Sequence, residues 1–136
     1  MEDVDVTFKW QIHPQVRRYS RNTHAPSIQD HTYWFKDSLD NKKREIWIFE
    51  VNNQPIGQLR LDRGEKNEIS ILISPQYAGR GYGGIALRDL CEQYLDLELW
   101  AYINLDNVAS KATFERANFK YQYGNWYLLP ARKPAP

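Results

Sequence analysis

Ile71-Leu72-Ile73-Ser74-Pro75-Gln76-Tyr77-Ala78-Gly79-Arg80-Gly81-Tyr82-Gly83-Gly84-Ile85-Ala86-Leu87 is the stretch on which the fold turns. An apolar run stops at Pro75, four of the chain's seven glycines fall between positions 79 and 84, and an amphipathic pattern begins at once. β-Branched residues pack well on a pleated surface and proline cannot donate to a ladder, so residues 68–74 read as a strand that ends there. From 80 to 95, Ile85, Leu87, Leu90, Cys91, Tyr94 and Leu95 form a broad apolar stripe, which predicts the strongest helix of the chain. The first amides of a helix lack internal partners and lie at its positive end. A turn without side chains lets an anionic pyrophosphate approach several of them together. The competing reading is that the glycines only permit a tight turn and close helix–sheet packing. No Gly-Lys-Ser/Thr follows and the dinucleotide spacing fails, which disfavours nucleoside triphosphates and nicotinamide cofactors.

Upstream, Ile46, Ile48 and Glu50 alternate with Trp47, Phe49 and Val51, and Asn52-Asn53-Gln54-Pro55 precedes a second run, Ile56 to Leu61. This predicts a hairpin. Ser27 can cap a helix from Ile28 to about Leu39, where Ile28, His31, Trp34, Phe35 and Leu39 recur at helical spacing. Residues 4–11 fit a short helix better than a strand. His13-Pro14 breaks it, and the following stretch reads as a loop carrying Arg17, Arg18 and Tyr19. Downstream, residues 97–103 read as strand. Asp106 or Asn107 can cap a helix running to about Ala117, with Asn118 as a left-handed stop. Phe119–Tyr123 and Trp126–Leu129 pair around Gly124-Asn125. Residues 1–130 form one domain, and 131–136 look like a tail.

The 136 residues carry 18 Lys and Arg against 17 Asp and Glu, so nothing electrostatic points to nucleic acid or an anionic membrane as the main partner. A single cysteine, Cys91, excludes an intramolecular disulfide and a thiolate metal cluster; no metal is expected, and the cytoplasm is the expected compartment. The chain has no apolar run of spanning length. Cys91 lies on the apolar stripe and reads as core. Nineteen aromatic residues, five of them Trp, exceed a minimal core and hint at a ligand-facing surface.

The quoted stretch closely resembles the acetyl-CoA motif of GNAT-superfamily acetyltransferases, Arg/Gln-x-x-Gly-x-Gly/Ala. Gly81 and Gly83 match its glycines, and Ala78 stands where Arg or Gln is usual. Asn107-Val108-Ala109-Ser110 through Phe114-Glu115-Arg116-Ala117-Asn118-Phe119 resembles a second family segment, and together the likeness spans about residues 45–129. It implies an α/β (α+β) fold: a mixed, mostly antiparallel central sheet flanked by helices. It implies acetyl-CoA as co-substrate, with the backbone of Ile71, Leu72 and Ile73 pairing with the pantetheine arm. Amides of Gly79, Arg80, Gly81, Tyr82, Gly83 and Gly84 would hold the pyrophosphate, and Asn107 and Ser110 would lie along the carrier. Glu68 is the candidate base, against the alternative of a solvated strand-edge carboxylate. Phe114 occupies the position of the family's tyrosine general acid and cannot donate a proton, which leaves Tyr82, Tyr121, Tyr123 or water.

The amino-terminal third, with Trp10-Gln11, Pro14 to Ser20 and His31-x-x-Trp34-Phe35, is similar to acetyltransferases of pseudaminic- and legionaminic-acid type pathways. This implies a small-molecule acceptor, the 4-amino group of a UDP-linked deoxy amino sugar. Arg17 and Arg18 would meet phosphates, and Tyr19, His31 and Trp34 the rest of the substrate. His31 on an apolar face also fits a structural role. A protein or peptide N-acetyltransferase and a non-catalytic acyl-CoA-binding module are the alternatives. Family members begin with a strand before the first helix, whereas this chain enters almost directly at Glu2-Asp3-Val4-Asp5. It lacks that strand, belongs to a longer protein, or recovers the edge from a second copy in a homodimer.

Overall fold

A computed structural model of the chain describes residues 3–13, 26–40 and 42–133. Two helices come first, α1 (Asp3–Ile12) and α2 (Ile28–Asp40). Ser27 Oγ accepts from the Asp30 amide at 3.0 Å, which is the cap expected for α2. Then β1 (Arg44–Val51) and β2 (Gln54–Asp62) form the hairpin. Its turn is shorter than the sequence suggests. Asn52 and Asn53 alone make it, with φ of 52° and 64°, and Gln54 already pairs with Val51. Glu50 opposes Pro55 while Phe49 opposes Gly57, so Ile56 is an extra residue on β2. A side chain at Gly57 would meet the Phe49 ring at 2.2 Å and the Leu72 carbonyl at 2.7 Å.

The chain continues through β3 (Glu68–Ile73), a 3-10 turn at Pro75–Tyr77, α3 (Tyr82–Glu92), β4 (Leu99–Tyr102), α4 (Val108–Arg116), β5 (Lys120–Tyr123) and β6 (Trp126–Leu129). Among the described residues the sheet has six strands in the order β1-β2-β3-β4-β6-β5. Only β3 and β4 run parallel, so it is the mixed, mostly antiparallel sheet expected. No described strand precedes α1, and β1 lies at one edge.

Alternation divides the sheet into two faces. One carries Leu59, Leu61, Ile69, Leu99, Ala101, Tyr127 and Leu129, and packs with Leu87, Leu90 and Cys91 of α3 and Phe114 of α4 into the main core. Burial pushes the Cys91 thiol up to about 11, against the lowering pull of Arg132, in keeping with a core residue. The second face carries Gln58, Arg60, Glu68, Ser70, Trp100, Tyr102 and Trp126. α1 packs on α2, and α2 packs on β1.

Two boundaries differ from the sequence reading. α3 ends at Glu92 rather than near 95: the Gln93 and Tyr94 amides reach back three residues, to Leu90 O at 3.0 Å and Cys91 O at 3.2 Å, and the Tyr94 hydroxyl donates to Glu45 Oε2 at 2.6 Å, beneath the Arg63 guanidinium. The stretch read as a tail is docked where it is described. Arg132 donates to the Cys91 and Tyr94 carbonyls at 3.0 and 3.2 Å, and the amides of Arg132 and Lys133 both reach Leu95 O. These contacts fasten the segment after β6 to the end of α3 and the turn that follows it. No described helix is long and apolar enough to cross a membrane, and no described group of three His, Cys, Asp or Glu could hold a metal ion.

Candidate active site

The parallel neighbours β3 and β4 share one ladder pair, Glu68 with Trp100. The Trp100 amide donates to Asn67 O at 2.8 Å, and Asn67 Nδ2 to Glu98 O at 3.2 Å, so the strands are tied at their starts. Beyond that point no further pair joins them. The far side of β3 holds regular register with β2 from Glu68 to Ile73, so the strand stays extended while its β4 side opens. An extended chain laid in that opening would meet the β3 backbone at Ile71, Leu72 and Ile73, as an added strand would.

Each strand leads into a helix start, and the two starts flank the opening. After β3, Gly79 and Gly81 adopt φ of 78° and 85°, and a Cβ at either would find nothing within 4 Å. Their conformation needs glycine and their surroundings are open. Ile85 N–H, donating to Gly81 O at 3.2 Å, is the first helical donor of α3. The amides of Tyr82, Gly83 and Gly84 therefore have no partner within the helix. Gly83 serves the competing purpose as well, since a Cβ there would lie 3.1 to 3.3 Å from Ile73 and Ile71. The Arg80 guanidinium lies over the Tyr77 ring, 5.4 Å from its centroid. After β4, Asn107 caps α4, its Oδ1 accepting from the Ser110 amide at 3.1 Å. This fixes Asn107 and Ser110 together in the first turn of α4.

Glu68 is half-buried at the closed end of the opening, on the second face. Phe114 is buried at 3% exposure, edge-on to Phe119 with centroids 5.0 Å apart, so it contributes packing and no proton. The three tyrosines considered in its stead are separated. Tyr82 leans on Tyr77 beside the glycine turn, Tyr121 on Tyr127, and Tyr123 on Trp100, the ladder partner of Glu68.

Of the acceptor candidates, Arg17, Arg18 and Tyr19 lie outside the described residues. His31 is buried at 3% exposure, its Nε2 2.8 Å from Thr7 Oγ1 and its ring near Phe8, Trp34 and Phe35. These contacts place it in the packing of α1 on α2. Trp34 lies under the guanidinium groups of Arg44 and Arg60, at 5.3 and 5.5 Å, and Arg60 in turn pairs with Asp62 at 2.8 Å.

What does gather near Glu68 is a group that the sequence reading does not assemble. Trp100, Tyr102, Tyr123 and Trp126 cluster on the second face, the two indoles at 89° to each other. Lys66 Nζ lies 5.1 Å from the Trp100 and Trp126 centroids and 5.5 Å from that of Tyr123. The available signal is strand alternation, which turns Trp100 and Tyr102 away from the buried Leu99 and Ala101. Gln58, 4% exposed on the same face, has no hydrogen-bond partner for Oε1 among the described residues. A separate cleft of about 380 Å³ lies between the C-terminal ends of α3 and α4, lined by Arg88, Glu92, Asn118 and Lys120, and contains none of the predicted site residues.

Solved structures share this architecture. An acetyltransferase from Thermus thermophilus superposes with a TM-score of 0.81 at 20% identity, covering 95% of this chain and 91% of its own. AAC(6')-Ib in complex with ribostamycin and coenzyme A gives 0.81 at 17%, covering 96% and 89%. RimL, a ribosomal L7/L12 α-N-protein acetyltransferase in complex with coenzyme A, gives 0.80 at 14%, covering 96% and 90%. No curated protein is significantly similar in sequence. The model of the acetyltransferase (GNAT) domain family matches residues 1–120, and with the splayed β3–β4 pair and glycine turn in view, the chain belongs to the GNAT acetyltransferase family.

Proposed function

We propose that the chain moves the acetyl group of acetyl-CoA directly onto the amino group of a nucleotide-linked deoxy amino sugar, in the opening between β3 and β4. The observation that carries the transfer is the lone Glu68–Trp100 pair, which leaves an extended strand edge leading from the glycine turn to a carboxylate. The residues present fit the carrier. A backbone edge suits an amide-bearing arm, and the free amides at the start of α3 suit a pyrophosphate.

In this reading Ile71, Leu72 and Ile73 bind the arm through their backbone, and Gly79 to Gly84 bind the diphosphate. Asn107 and Ser110 line the carrier's other side. Glu68 removes the proton from the acceptor's ammonium, since only the neutral amine has a lone pair with which to attack the thioester carbon. Backbone N–H groups on the open edge of β3 are the donors available to the oxygen that gains charge. The C–S bond then breaks. A thiol titrates not far above neutrality, so its anion can leave unaided or take a proton from Tyr123 or water.

For the acceptor, aromatic faces beside Glu68 favour a ring with an apolar side. Arg17 and Arg18 would neutralise the diphosphate. Likeness to a structure solved with ribostamycin supports a small-molecule acceptor. The test follows thiol release with acetyl-CoA and UDP-linked 4-amino sugars, against aminoglycosides and a peptide panel. Turnover of the sugar nucleotides is expected. Turnover of peptides alone would overturn the acceptor, and tight acetyl-CoA binding without any turnover would overturn the transfer.

A further inference from the structure

We infer that Trp100, Tyr123 and Trp126 form a seat for the acceptor's ammonium group, and that Lys66 of the same chain fills this seat until the acceptor displaces it. The inference rests on the transferase reading only for the name of the occupant. The position of Lys66 among the three rings stands without it. One ammonium lies 5.1, 5.5 and 5.1 Å from three ring centroids, within the range in which ring quadrupoles attract cations.

Two features connect the seat to the reaction. Trp100 is the ladder partner of Glu68, so the ring on which Lys66 Nζ rests belongs to the residue at the closed end of the β3–β4 opening. Lys66 itself stands two residues before Glu68, where β3 begins. An acceptor amine is protonated at neutral pH and must arrive as a cation before Glu68 can neutralise it. A corner of rings holds the ammonium by its charge without closing a salt bridge around it, which leaves its N–H groups open to Glu68. Lys66 therefore marks where an ammonium is held and supplies a tethered competitor for the place. Displacement costs one cation–π interaction and returns another, and Lys66, on a flexible stem, moves into water.

The experiment uses n-butylammonium, the lysine side chain without its backbone, with n-butanol as the uncharged control. Binding to the full chain is followed by the indole N–H signals of Trp100 and Trp126, assigned with Trp100→Phe and Trp126→Phe. Lys66→Met and Lys66→Gln are compared with the parent protein, the second because methionine can itself fill the corner. Both variants should bind butylammonium about tenfold more tightly than the parent, with the two indoles shifting and butanol leaving them in place. Equal affinity in parent and variants, a response to butanol as large as to the cation, or indoles that stay unmoved would overturn the inference. A lysine that only braces the turn would lower the variants' Tm and leave affinity unchanged. No acetyl-CoA is present, so failure of the seat and failure of acetyl transfer are separate results.

Discussion

At its C-terminal end β3 runs into a turn whose useful groups are backbone amides, whereas at its N-terminal end Glu68 meets Trp100 beside a corner of aromatic side chains. The first end depends on φ angles, with Gly79 at 78° and Gly81 at 85°. The second depends on which side chains stand on the outer face of β4, β5 and β6. A site made of backbone tolerates side-chain exchange and fails when the conformation changes. A site made of side chains does the reverse. That accounts for Ala78 standing where the family's Arg or Gln is usual without altering the turn's amides.

The largest effect should come from the N-terminal end. Glu68→Gln keeps the shape and hydrogen-bonding capacity but cannot take a proton, so kcat should fall about 100-fold, the scale of general-base catalysis, with the acetyl-CoA KM unchanged. Raising the pH until the acceptor is neutral by itself should recover much of the loss. A kcat that survives the change would remove the proton acceptor from this end and break the contrast. At the other end, Gly81→Val puts a β-branched residue in the left-handed region, which costs at least about 1–2 kcal/mol. If the turn yields, the acetyl-CoA KM should rise roughly tenfold while the acceptor KM holds. Ala78→Gln, which leaves φ alone, should shift the acetyl-CoA KM less than about threefold.

The same difference decides what could be read from sequence. The carrier end is contiguous: a strand, four glycines and a helix lie within residues 71–92, and each is a local signal. The hairpin and the left-handed Asn118 were legible for the same reason, and the cap was narrowed to Asp106 or Asn107, of which the fold uses Asn107. The N-terminal end of β3 joins Lys66 to Trp100, Tyr123 and Trp126, which meet only because β6 inserts between β4 and β5. No local pattern encodes that insertion. His31 shows the same limit from the other side. Its helical spacing was visible, but its partner Thr7 lies on another helix, and that contact makes the ring part of the packing. His31→Ala should therefore cost on the order of 2 kcal/mol of stability, from a cavity and a lost hydrogen bond, and leave both KM values unchanged. Urea unfolding beside steady-state kinetics measures both, and a raised acceptor KM at unchanged stability would return His31 to the acceptor side.

The smallest effect sharpens the boundary between these two ends and the core behind them. α3 begins at the carrier turn, yet near its other end Cys91 is 3% exposed, and burial raises its thiol from 9.0 to about 11. A folded state that holds its proton more tightly than the unfolded chain gains stability below the unfolded value and loses it as pH climbs through the folded one. The parent protein should therefore lose stability between those two values more steeply than Cys91→Ala, measured as urea midpoints across that range. At about pH 8 the native thiol should resist alkylation until the chain unfolds. A thiol that reacts freely in the native state would mean that the core face of α3 opens to solvent. The carrier turn would then sit on a mobile helix, and the contrast between a rigid backbone site and an adaptable side-chain site would no longer hold.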